Sequence, residues 1–250
     1  MATPAVVALD ESPMIVSHQH KFIFVKTRKT AGTSIEVFLS SLAGPDAVVT
    51  PFTVSEGIDH HPRNWHRRFN PWPEVASRLR RTRSLRGSGA RGALADLRAG
   101  RAFYNHMPAR LIIARLGRRV WEEYFTFCFE RDPWEKTASW YWFATRDDPD
   151  RPPFDRWVRT AELPSDWDLY TIDDRVAVDF VGRFESLQAD LERVLSILGL
   201  DVPVELPRAK GGFRPQGDPV RFDAGANRRI AAVFAREIET FGYPDRSAGG

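Results

Sequence analysis

A chain of 250 residues with 42% hydrophobic, 12% aromatic and 28% charged side chains can bury one substantial core and is too short for two full domains, so a single domain over 1–250 is expected. No apolar run approaches the roughly 18 residues of a membrane span, the N-terminus lacks the order of a secretory signal, and the single cysteine, Cys128, excludes an internal disulfide and a Cys/His zinc site. The sequence describes a soluble, cytoplasmic protein whose net charge of +3 hides an asymmetry: fifteen arginines and only two acids, Glu74 and Asp96, fall between Arg63 and Arg119, so that window carries +13 and the remainder −10. Such a block marks nucleic acid, a membrane surface or an acidic small ligand; few interleaved aromatics and no reader motif argue against nucleic acid.

In chain order, Lys21 to Val25 is a short aromatic and β-branched run that predicts a buried strand. The small, polar stretch Thr27 to Gly32 ends it. Ile35, Phe38, Leu39 and Leu42 then recur at helical spacing, with Thr33 and Glu36 placed as a capping box. The arginine-rich insert covers 63–119, and within it Arg80 to Arg91 fits either a loop or the end of a basic helix. Pro108 is expected in the first turn of a helix carrying Leu111 and Ile112. From Tyr124 to Glu130, Phe125, Phe127 and Phe129 alternate on one face of a second strand; Asp132, Pro133 and Glu135 then supply the N-cap, N1 proline and box partner of a helix to about Phe143. A third strand is predicted from Val176 to Phe184, followed by a helix aligning Leu187, Leu191, Val194, Leu195 and Leu198 before Gly199. Ile230, Val233, Phe234, Ile238 and Phe241 mark one terminal helix. Strands alternating with helices predict an α/β fold, core about 21–243, on a mainly parallel central sheet flanked by helices.

In open α/β sheets, ligands bind beyond the carboxyl ends of the strands, where helix N-termini offer free N–H groups to anions. Lys29-Thr30-Ala31-Gly32-Thr33-Ser34 takes that place, with a glycine for close approach, three hydroxyls and a flexible cation. It is not the nucleotide-binding P-loop G-x-x-x-x-G-K-[ST], because Lys29 precedes the only glycine and no glycine leads. It resembles the 5′-phosphosulfate loop of the sulfotransferases that use 3′-phosphoadenosine 5′-phosphosulfate (PAPS), particularly the membrane-type carbohydrate sulfotransferases and their bacterial relatives, whose strand is followed by P-K-T-A-G-T-S. Arg28 stands where those proteins usually have proline. Phe127, Phe129, Arg131 to Trp134 and Ser139 to Tyr141 are similar to the family's 3′-phosphate-binding segment. Gly182 to Leu187 with Asp190, and Phe241-Gly242-Tyr243, resemble further family signatures, and Lys210-Gly211-Gly212 with Arg214 falls where the family often closes a loop over the cofactor.

The resemblance implies a P-loop-NTPase-like three-layer α/β fold and sulfuryl transfer from PAPS to a hydroxyl or amine, on a carbohydrate or a hydroxylated metabolite. The donor-binding residues carried over are Arg28, Lys29, Thr30, Ala31, Gly32, Thr33, Ser34, Arg131, Ser139, Lys210 and Arg214. Lys29 is the cation expected on the leaving phosphate oxygen. The leaving nucleotide carries little enough charge to dispense with a metal, and no carboxylate pair suggests a magnesium site. His106, in Tyr104-Asn105-His106-Met107-Pro108, is the expected general base, because a helix N-terminus favours neutral imidazole; Glu56, Asp59 and Glu130 are alternatives. His60, His61 and His66 are expected at the surface or cleft without catalytic duty, and Cys128 in the core. The basic window is expected to form the acceptor wall. Two other readings are a P-loop kinase or NTPase requiring Mg²⁺, and a non-catalytic binder of anionic polymers.

Overall fold

Aromatic residues far apart in sequence lie side by side at the centre of this protein. In the computed structural model, which describes residues 14–51, 61–76, 88–207 and 220–248, a five-stranded sheet has the order β3-β1-β2-β4-β7. Its strands are β1 (Ile15–Ser17), β2 (Phe22–Phe24), β3 (Val48–Val49), β4 (Phe125–Glu130) and β7 (Phe180–Arg183). β2 runs parallel to β4, with Phe24 opposite Phe127, and β4 runs parallel to β7, with Cys128 opposite Val181. β1 is antiparallel to both β2 and β3.

The sheet is therefore mixed, not mainly parallel. The short connection from Ser17 to Phe22 leaves no room for a crossover, so β1 and β2 must close as a hairpin. β1 and β3, of three and two residues, escaped the sequence pattern because neither carries an aromatic run, whereas β2, also of three residues, is marked by the aromatic and β-branched stretch Lys21 to Val25. The predicted strand from Val176 to Phe184 also divides. β5 (Thr171–Ile172) and β6 (Arg175–Val176) form a separate hairpin, β7 begins only at Phe180, and Phe184 opens a 3₁₀ turn.

The helices are α1 (Gly32–Leu42), α2 over 72–76, α3 (Ser88–Arg98), α4 (Ala109–Leu116), α5 (Arg118–Glu123), α6 (Pro133–Ala144), α7 (Phe154–Thr160), α8 (Trp167–Tyr170), α9 (Leu187–Ile197), α10 (Ala224–Val233) and α11 (Ala235–Phe241). Period-two alternation in β2 and β4 sends Phe22, Phe24, Phe127 and Phe129 to one face, where they pack with Ile35 and Leu39 of α1 and Leu191, Val194 and Leu195 of α9. Ile23, Val25 and Cys128 face the other way, against Leu111 and Ile112 of α4, Trp121 and Tyr170. Each of these large side chains contributes roughly 1.5–3 kcal/mol by leaving water. A Cβ on Gly182 would lie 2.4 Å from Phe129 Cε1, so the β4–β7 approach requires a residue without a side chain there.

Three local expectations need correction. Pro108 is the N-cap of α4 and not its first helical residue. The terminal helix breaks at Phe234 into α10 and α11, and Val233 is 37% exposed, off the buried stripe of Ile230 and Phe234. The Thr33–Glu36 capping box does not form: Ala31 is the N-cap of α1, without a side-chain cap bond. By contrast, Asp132 caps α6 as expected, its Oδ1 accepting from Trp134 N and Glu135 N at 3.0 Å each, with Pro133 in the first turn, but its own N–H donates to Glu185 Oε1 at 2.7 Å, so Glu185 takes the box-partner place expected of Glu135. Among the described residues no helix is long and apolar enough to cross a membrane.

Candidate functional site

Parallel pairing of β2 and β4 brings their carboxyl ends together, and the turn leading into α1 starts there. Val25 N donates to Phe127 O at 2.8 Å, extending the ladder one residue past β2. Thr27 Oγ1 donates to the carbonyl of Phe129, and Thr30 Oγ1 to the carbonyl of Thr27 at 3.2 Å. These buried hydroxyls fasten the turn to β4. They hold Lys29 and Ala31 at φ values of 62° and 59°, a left-handed region that costs a residue with a side chain on the order of 1–3 kcal/mol.

Lys26 occupies the inside of this turn. Its ammonium donates to Thr33 Oγ1 at 3.2 Å and to Glu36 Oε2 at 3.3 Å, and the Lys26–Glu36 pair is almost wholly buried. This pairing displaces the capping box. Gly32 follows from the same packing: a Cβ there would meet Lys26 Cε at 2.4 Å, so the close approach it permits is to a lysine of this chain. Sequence reasoning missed Lys26, although a signal existed. Lys26 keeps the parity of Phe22 and Phe24, and Glu36 lies on the buried stripe of Ile35 and Leu39, where a carboxylate needs a cation.

Arg28 is fixed from across the chain. Asp166 Oδ2 accepts from Arg28 N at 2.6 Å, Asp166 Oδ1 from Arg28 Nε at 2.7 Å, and Ser165 O from Arg28 Nη2 at 2.9 Å. Arg28 thus stabilises the turn through protein partners. The fully buried Lys136 bridges Asp166 and Glu130, at 2.8 Å from each. Burial pushes the Asp166 carboxyl upward, but Lys136, Arg28 and His106 outweigh it and leave it below the usual range. Glu130 goes the other way, held above the usual carboxylate range chiefly by burial. Engaged with Lys136 and 1% exposed, Glu130 is the buried counterion of that lysine.

Arg131 lies across the turn. Its Nη1 donates to Lys29 O at 3.2 Å, its guanidinium lies 4.0 Å from the centre of the Phe184 ring, and its Nη2 is 3.6 Å from Glu135. Lys29 Nζ sits over the Phe143 ring at 4.2 Å, and Ser139 is half-buried on α6, two turns along. Ser34 follows Thr33 in the first turn of α1.

His106 joins the turn from a distant segment. Asn105 anchors that segment by accepting from Thr50 Oγ1 at 3.0 Å and donating to Pro51 O at 3.2 Å. His106, at φ 49°, places Nδ1 3.1 Å from Lys26 O. A carbonyl only accepts, so Nδ1 carries the proton and Nε2 the lone pair. Nε2 is buried and has no hydrogen-bond partner among the described residues. Burial lowers the imidazole pKa to about 4, with Lys26 and Arg28 adding to the shift and Asp166 opposing it. The sequence expects a neutral ring from a helix terminus; in the structure burial is the leading cause.

Part of the basic window serves the fold. Arg63 donates to the carbonyls of Ser40, Gly44 and His61, and the buried Arg115 gathers Glu74, Asp96 and two carbonyls. His66 Nε2 meets Ala99 O at 2.6 Å. Glu56, Asp59, His60, Lys210 and Arg214 lie outside the described residues. Two surface clefts, of about 450 and 490 Å³, are lined respectively by Glu192, Leu195, Leu200 and Val202 among others and by Tyr141, Trp142, Phe154 and Phe222 among others, and neither includes the turn, Arg131 or His106.

No family model matches this chain, and neither does any solved structure. It is similar to an uncharacterized protein of Archaeoglobus fulgidus, 34% identical over 106 residues that cover 40% of this chain and 87% of the archaeal one. With that identity over most of the archaeal protein's length, this chain belongs to the same family as it.

Proposed function

We propose that this protein is a sulfotransferase moving a sulfuryl group from PAPS to a hydroxyl or amine acceptor, without a metal. The observation that carries this reading is convergence on one turn. Arg131 reaches the Lys29 carbonyl, His106 the Lys26 carbonyl, and Asp166 both the backbone and the side chain of Arg28. The turn precedes a helix N-terminus, which favours an anion.

In the proposed reaction the acceptor oxygen or nitrogen attacks sulfur, and the bond from sulfur to the 5′-phosphate oxygen breaks with its electron pair leaving on the phosphate. The acceptor proton passes to His106 Nε2. Lys29, swinging from Phe143, neutralises the departing oxygen, a role of the kind worth about 3–4 kcal/mol in the transition state. Arg131 binds the 3′-phosphate through its planar fork. His106 Nε2 is buried, so on this reading the groups over it part when the acceptor enters. A metal is dispensable on this reading because the sulfuryl group being transferred carries one negative charge fewer than a phosphoryl group.

A thermal-shift screen tests the reading. The product nucleotide, 3′-phosphoadenosine 5′-phosphate, at about 100 times its Kd in the presence of a chelator is expected to add about 2.7 kcal/mol. Stabilisation by ATP or GTP with Mg²⁺ alone would instead assign a kinase or NTPase.

A further inference from the structure

The turn and His106 leave part of the arginine-rich window unexplained. Its two acids are buried: Glu74 is 6% and Asp96 8% exposed. Arg115 takes both, Nη2 lying 3.0 Å from Glu74 Oε2 and 2.9 Å from Asp96 Oδ2, while Arg101 adds a second bond to Asp96 at 2.6 Å. α2 and α3 are thereby drawn to the same guanidinium. Neither acid reaches the outer side of these helices.

That outer side follows from helical geometry. Trp72 precedes Glu74 by two residues in α2, and Leu94 precedes Asp96 by two in α3. At about 100° per residue, each points away from Arg115. Trp72 is 71% exposed and Leu94 45% exposed, both large apolar side chains in water. The backbone N–H of Trp72 donates to Asn70 Oδ1 at 3.0 Å, fixing the start of α2. Arg98, one turn beyond Leu94, is exposed, as are Arg67 and Arg68 just before α2.

From these positions we infer that the outer face of α2 and α3 docks on an anionic lipid bilayer. An indole with an apolar body and a polar N–H suits the headgroup boundary, and neighbouring arginines are drawn to acidic headgroups. A soluble polyanion would satisfy the arginines but leave Trp72 and Leu94 without an apolar medium. This surface does not depend on the sulfotransferase reading.

The test is co-sedimentation of the full chain with vesicles of phosphatidylcholine alone and of phosphatidylcholine mixed with phosphatidylglycerol. The protein is expected to bind the mixed vesicles and not the neutral ones, and to be released as salt rises. Trp72→Ala is expected to weaken that binding by about tenfold, and Arg98→Glu by at least about fivefold, both with unchanged thermal unfolding because the side chains are exposed. Absence of binding to the mixed vesicles, equal binding to neutral ones, or an unaltered Trp72→Ala affinity would each overturn the inference. Heparin binding that ignores Trp72, with no vesicle binding, would reassign the face to polyanions and overturn it equally.

Discussion

Asp166 accepts hydrogen bonds from both the backbone N–H and the side-chain Nε of Arg28, at 2.6 and 2.7 Å, across 138 residues of sequence. One carboxylate thus fixes both the path of the turn and the direction of its first arginine. Arg28→Ala removes the guanidinium and keeps the N–H bond; Arg28→Pro removes both. The proline variant is therefore expected to be the less stable, by about 1 kcal/mol more. Asp166→Ala leaves Lys136 and Arg28 short of a counterion and is expected to cost about 3–5 kcal/mol. Urea unfolding of the three variants checks the ranking; equal losses in both Arg28 variants would mean that the N–H bond carries nothing.

His106 makes stability depend on pH in a definite direction. Its folded pKa of about 4 lies below the unfolded value of 6.5. Between those values the unfolded chain binds the extra proton, so this contribution is present above pH 6.5 and is lost as pH falls towards 4, by up to about 3 kcal/mol. Glu130, whose pKa is raised, acts in the opposite sense as pH rises past the ordinary carboxylate range. Comparing wild type with His106→Gln isolates the histidine. The stability difference between them is expected to shift against wild type on acidification; a difference constant from pH 7 to 4 would contradict the buried neutral ring.

Lys26 and Gly32 are expected to be energetically coupled. Gly32→Ala drives a methyl into the Lys26 stem and is expected to cost about 1–3 kcal/mol. With Lys26 already shortened to Ala, the same methyl no longer meets the lysine stem that supplies its three nearest atoms. A double-mutant cycle should therefore give a coupling of about 1 kcal/mol or more. Additive losses would show that the Lys26 stem yields freely.

The elements legible in the sequence were those with enough length or a distinctive cap. β2 announced itself by its aromatic and β-branched run, β4 by aromatic alternation, α9 by its leucine spacing before Gly199, and α6 by Asp132 and Pro133. What escaped depends on distance. Asp166 offers no local sign that it serves Arg28, and Lys136 looks like an ordinary helical lysine until Glu130 and Asp166 close on it. Arg63 and Arg115 looked like surface charge, yet they bind carbonyls and buried acids, because a guanidinium has enough donors to satisfy several interior oxygens at once. Of the candidate site, the turn, Arg131 and His106 were legible and do converge, while the cation inside the turn was not.

Gly182 tests the sheet itself. Its Cα faces Phe129, and an added Cβ would stand 2.4 Å from the ring. Gly182→Ala is expected to lose about 1–3 kcal/mol in denaturant unfolding. A neutral substitution would mean that β4 and β7 can separate without penalty.

The proposed sulfuryl transfer with His106 as base is tested by an assay of PAPS consumption in a chelator against a panel of hydroxyl and amine acceptors, with mass detection of product. Wild type is expected to form a sulfated product and 3′-phosphoadenosine 5′-phosphate, with an acid limb in its rate near pH 4 and not near 6.5. Lys29→Ala and His106→Ala are expected to abolish transfer while still binding nucleotide, and Arg131→Ala mainly to weaken binding. Wild-type turnover in His106→Ala would remove the histidine as base; no PAPS consumption across the panel, together with hydrolysis of ATP in Mg²⁺, would contradict the claim as a whole.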